Sequence, residues 1–165
     1  MILSIIQILF GALVIYDGGK SIYMFATITT AGIFPHNNSY RSSFGNMGVN
    51  IILQGFGELS FGAFLLLRSF NAMNSGAFME DDTLTLISNI SLILIGGGVF
   101  IATLLHLTGC LRTMNEEMEK EYQHKKELGV NKIRETVFTF AYQALNQKMV
   151  ISVMLLIVLI SIRLI

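Results

Sequence analysis

Charge is scarce in this chain, and the scarcity sets its class. Only 13% of its 165 residues are Asp, Glu, Lys or Arg, against 53% hydrophobic, and mean hydropathy is +0.63. Soluble domains carry about 25% charged residues, so the chain has roughly half the usual means of keeping a surface wet. There is one cysteine, Cys110, which excludes an intramolecular disulfide framework. Eleven basic residues balance eleven acidic ones, so no global field recruits nucleic acid or an acidic substrate. The apolar residues 1–16 lack the basic flank of a secretory signal and read as mature protein.

What is present is long apolar tracts. A hydrocarbon core takes about 20 predominantly apolar residues to cross as a helix. The expected architecture is one all-α membrane domain over 1–165, with transmembrane helices at 2–34, 47–68, 84–107 and 149–165. Asp17-Gly18-Gly19-Lys20 interrupts the first tract, so that helix is expected to tilt, bend at the glycine pair or lie partly in the interface. Pro35 and the polar run from His36 to Ser43 mark its exit. Arg68 closes the second tract, and Asp82 or Thr83 is the expected N-cap of the third, whose dipole the acidic loop Glu80-Asp81-Asp82 complements.

Between the third and fourth tracts, 112–148 carries seven basic and six acidic residues. Pairs such as Glu116–Lys120 and Glu121–Lys125, spaced i,i+4, suit a solvated helix. After a break at Gly129-Val130-Asn131, an apolar stripe from Val137 to Leu145 predicts an interfacial amphipathic helix, with Lys132, Arg134 and Lys148 available to lipid headgroups. The 35–46 and 112–148 loops together hold eight Lys and Arg, which places that side in the cytoplasm or its organellar equivalent and both termini opposite. A bacterial inner membrane and an organellar membrane fit equally.

Asn50, Gln54 and Glu58, spaced i, i+4, i+8, form one polar stripe on the second helix, and Asp17 and Lys20 are placed to pair on the first. Ionisable groups at such depth face a bundle interior or a water-filled path. The preferred reading is that they bind neighbouring helices; the alternative is a proton or ion relay. Gly55, Gly57, Gly62, Gly96, Gly97 and Gly98 are expected to allow close helix packing, within the chain or against other subunits. His106 and Cys110, spaced i,i+4, are too few ligands for a zinc site, and no metal, haem or other cofactor is expected. Asp17-Gly18-Gly19-Lys20-Ser21 lacks the glycine spacing of a phosphate loop, and the acceptor pattern Asn37-Asn38-Ser39 falls on the wrong side for glycosylation.

No catalytic constellation emerges. The glycine-rich helix pair over 47–111, with its short polar connection, is similar in layout to pilin-like membrane subunits of conjugation and type IV secretion machines, and equally to small accessory subunits of respiratory complexes. That likeness carries no functional residue over. The expected function is a non-catalytic membrane subunit or assembly factor, with the bilayer and other membrane subunits as partners and no nucleic acid. A small homo-oligomeric ion- or proton-coupled channel or transporter using Glu58 is the alternative.

Overall fold

The computed structural model describes residues 2–30, 38–76, 78–108 and 132–164, with side chains placed except at 24, 27–30, 38–49 and 132–147. These residues form four α-helices: α1 (Ile2–Thr30), α2 (Asn38–Met73), α3 (Asp81–Leu107) and α4 (Lys132–Leu164). Three segments are long and apolar enough to cross a membrane, Ile2–Tyr23, Asn50–Met73 and Asp81–Leu107. Their outward faces carry exposed Leu3, Leu13, Ile93 and Phe100, side chains that suit hydrocarbon rather than water.

Burial follows a heptad-like rhythm that the average hydrophobicity conceals. On α3 the buried positions are Leu84, Ser88, Ser91, Ile95, Gly98 and Ala102, and on α4 they are Lys148, Ser152, Leu155 and Leu159. On α1 they are Gly11, Val14, Gly18 and Ser21. Steps alternating between three and four residues hold one stripe toward a neighbour. Helix α2 is buried on several faces and is the central element, packing extensively against α1 and α3 and touching α4. Phe61, Leu65, Ile95 and Leu159 form the innermost apolar core.

Contacts fix the directions. Ser69 Oγ donates to Gln7 Oε1 (3.1 Å) at one end of the α1–α2 pair, and Gly18 abuts Gly55 further along, so these helices run antiparallel. Gly57 meets Ile95 and Gly98 meets Gln54, which makes α3 antiparallel to α2. Lys148 reaches Glu58 while Arg68 donates to the carbonyl of Ile162 (3.5 Å), so α4 runs parallel to α2.

Several expected boundaries shift. Helix α1 continues through Gly18-Gly19. Helix α2 begins at Asn38, so 38–43 are helical rather than part of the exit loop; after Pro35 nothing in that polar run breaks a helix. Helix α3 starts at Asp81, with Glu80 as N-cap in place of Asp82 or Thr83 and without a side-chain cap bond. The α4 helix runs unbroken from Lys132 through the fourth apolar tract. Pro35, His36, the Asn37 acceptor, Cys110, His124 and the charged pairs of 112–131 lie outside the described residues, as do the side chains of the stripe from Val137 to Leu145.

The turn after α2 is closed by Asn71. Its backbone oxygen accepts from the N–H of Gly76 (2.9 Å), and its side-chain Oδ1 accepts from the N–H groups of Phe78 (3.1 Å) and Met79 (3.0 Å). Ser75 (φ 54°) and Gly76 (φ 82°) supply the left-handed backbone that reverses the chain. Replacing Asn71 by Ala removes an acceptor that satisfies two N–H groups from a 7% exposed site, and is expected to destabilise by about 1–3 kcal/mol. Unfolding in mixed micelles would measure it; an unchanged midpoint would show that water substitutes fully.

Candidate functional site

The polar stripe on α2 points inward. Glu58 is fully buried, Gln54 is 1% exposed and Asn50 is 8% exposed. What the sequence does not disclose is the partner of Glu58. Lys148 Nζ donates to Glu58 Oε2 (2.7 Å), Glu58 Oε1 (2.8 Å) and Asp17 Oδ2 (2.6 Å). An ammonium has three donors, and all three meet carboxylate oxygens from two other helices. Three helices distant in sequence thus converge on one nitrogen.

Lys148, expected at the headgroups, is 5% exposed and faces the interior. The reason is electrostatic. A lysine at the edge of an apolar tract snorkels when water is the best partner within reach of its stem. Here a carboxylate pair one helix away supplies short charge-assisted bonds. The described partner of the Asp17 carboxylate is Lys148. Lys20 itself is half-buried on the same helix.

Backbone proximity makes the cluster possible. A Cβ added at Gly18 would lie 2.7 Å from the oxygen of Gly55 and 3.0 Å from Glu58 Cβ; one added at Gly62 would lie 2.6 Å from the oxygen of Gly11. Gly11 and Gly18 are seven residues apart, as are Gly55 and Gly62, so the two close approaches repeat once per heptad. Asp17 adjoins one of these crossings and Glu58 lines it, which brings both carboxylates within reach of one amine.

Of the glycines expected at packing faces, Gly55, Gly57, Gly62 and Gly98 meet a neighbouring helix. Among the described residues Gly96 has only Leu156 Cδ1 at 4.0 Å, and Gly97 has nothing within 4 Å. Consecutive helical residues are rotated by about 100°, so three in a row cannot share a face. Gly98 is the one turned to α2, where its missing side chain leaves room for the Gln54 amide: an added Cβ would lie 2.7 Å from Gln54 Cγ.

Asn50 Oδ1, both polar atoms of Gln54, and the hydroxyls of Ser88 and Ser152 are buried without a hydrogen-bond partner among the described residues. By contrast, the buried hydroxyls of Ser21 and Ser91 each donate to the carbonyl four residues back, at 2.8 Å. Asn50 and Gln54 lie in the two turns before Glu58, and Ser152 lies one turn after Lys148, so these groups flank the cluster, whereas Ser88 lies beside Arg68 and Arg163 further along the bundle. His106 is exposed in the last turn of α3, and among the described residues no group of three His, Cys, Asp or Glu could hold a metal ion. The residues that sequence reasoning missed are Lys148, Gly11, Gly18 and Ser152. No protein family, curated protein or solved structure gives a significant match to this chain.

Proposed function

We propose that this chain is a four-span integral membrane protein acting as a non-catalytic subunit or assembly factor of a larger membrane complex, such as a secretion or conjugation machine or a respiratory-type complex. In this reading α4 crosses as the fourth span from about residue 149. The 112–148 segment lies on the more basic side, and the membrane is a bacterial inner or an organellar one. The observation that carries it is the three-way contact of Lys148 with Asp17 and Glu58. All three donors of the amine are engaged within the chain, so the ionisable groups join three helices. Gly19 and Gly97, with open space where a side chain would be, add flat outer faces on which partner helices can pack.

One observation favours a second reading, a homo-oligomeric proton- or ion-coupled channel or transporter. The Asn50 amide oxygen and the Gln54 amide, without partners among the described residues, continue the line of Glu58 along α2, and the Asp17 side chain is 34% exposed, so a polar path could reach the cluster. Glu58→Gln keeps size and hydrogen bonding but removes the titrating group, whereas Glu58→Leu removes both. A scaffold is expected to assemble nearly normally with Gln and poorly with Leu on native gels, and to show no pH-driven flux in proteoliposomes. Robust wild-type flux that vanishes in the Gln variant would overturn the scaffold reading.

A further inference from the structure

The end of the bundle opposite Lys148 holds a second polar site. A cavity of about 480 Å³ opens where α2 ends, α3 begins and α4 ends. Arg68, Arg163, Asp81 and Ser88 are among its polar lining, with Asn71 and Thr85, and Phe64 and Leu84 are among its apolar walls. Arg68 and Arg163 form no ion pair among the described residues, and Arg68 makes one long bond, 3.5 Å, to the Ile162 carbonyl. Ser88 is 3% exposed and its hydroxyl has no partner among the described residues. The first turn of α3 borders the same space and contributes the carboxylate of Asp81 to it.

We propose that this cavity binds the headgroup of an aminophospholipid, with the phosphate on Arg68 and Arg163 and the primary ammonium on Asp81. The inference rests on the reading of the chain as a membrane-spanning protein, which puts the ends of these helices at headgroup depth. Two guanidinium groups suit the phosphate, since arginine bonds its oxygens in a planar fork. A plain anion is disfavoured because Asp81 lines the cavity and Glu80 and Asp82 flank it. A headgroup carrying both charges satisfies the two signs together. The apolar walls, Phe64 and Leu84 among them, suit the start of the acyl chains.

The test is retention and thermal stabilisation of the detergent-purified full chain by phosphatidylethanolamine, phosphatidylcholine, phosphatidylglycerol or inorganic phosphate, read by native mass spectrometry and melting. Phosphatidylethanolamine is expected to bind tightest, because the quaternary amine of choline cannot donate to Asp81 and glycerol carries no cation. Arg68→Gln with Arg163→Gln should weaken binding at least about tenfold. Asp81→Asn, at an exposed position that leaves the bundle intact, should erase the preference for ethanolamine over glycerol while phosphate contacts remain. Equal binding of the three lipids by the wild type, stabilisation by inorganic phosphate alone, or full retention by the double arginine variant would each overturn the proposal. Carbonate extraction of membranes separates the two levels. A chain released by carbonate refutes the membrane reading, whereas a chain that stays membrane-bound without an ethanolamine preference refutes the lipid site alone.

Discussion

Lys148→Met is expected to destabilise the bundle by about 3–5 kcal/mol, the range for removing one partner of a buried ion pair. The loss comes less from the missing bonds than from what they leave behind. Glu58, fully buried mid-helix, keeps two oxygens with no donor, and Asp17 loses its described partner. The converse change is milder. In Asp17→Asn with Glu58→Gln the orphan is the amine, which sits at the start of an apolar tract on a flexible stem and can swing to the headgroups. Adding both carboxyl replacements to Lys148→Met should recover most of the loss, because replacing a whole buried ionic group by neutral residues of similar size is often close to neutral. Steric trapping or unfolding in mixed micelles gives all three values. A Lys148→Met variant as stable as the wild type would show that the cluster contributes nothing to the fold.

That asymmetry explains what could be read from the sequence. The all-helical class follows from the apolar tracts, since a bilayer admits only structures that satisfy their own backbone bonds. Three of those tracts coincide with helices of spanning length. Polar residues at four-residue steps also advertise the inward stripe of α2, because Asn50, Gln54 and Glu58 share a face once the tract is helical. The partner was hidden. Lys148 is 90 residues from Glu58, and a lysine at the edge of an apolar tract carries the same local signature whether it snorkels or turns inward. Its direction is decided by carboxylates on helices whose registers the sequence does not state. The glycines divide similarly. Gly96-Gly97-Gly98 stood out as a run, yet a run disperses around a helix, whereas Gly11/Gly18 and Gly55/Gly62 at heptad spacing were the quieter and more informative signal.

Gly62→Ala is expected to destabilise by about 1–3 kcal/mol, the usual cost of overpacking a filled interior, although alanine is the better helix former. A Cβ there would lie 2.5 Å from Ile15 Cγ1 and 2.6 Å from the oxygen of Gly11. The Ile15 side chain can turn aside, but the carbonyl is backbone, so α1 and α2 must separate. Gly19→Ala and Gly97→Ala meet nothing within 4 Å among the described residues and should gain about 0.5–1 kcal/mol from propensity alone. The sign therefore differs between glycines of one bundle, and no general intolerance of substitution produces that pattern. Gly18→Ala goes further, since the added methyl group would press on the oxygen of Gly55 at 2.7 Å and on Glu58 Cβ at 3.0 Å. Separating the helices at this level also pulls the carboxylates from Lys148, so Gly18→Ala and Lys148→Met should fall short of additivity. Gly11→Ala combined with Lys148→Met, two turns away, should add within about 0.5 kcal/mol. Double-mutant cycles on unfolding free energies in mixed micelles test the link directly. Full additivity at Gly18 would mean that the glycine crossing and the ion cluster are independent, and that the seam does not position the site.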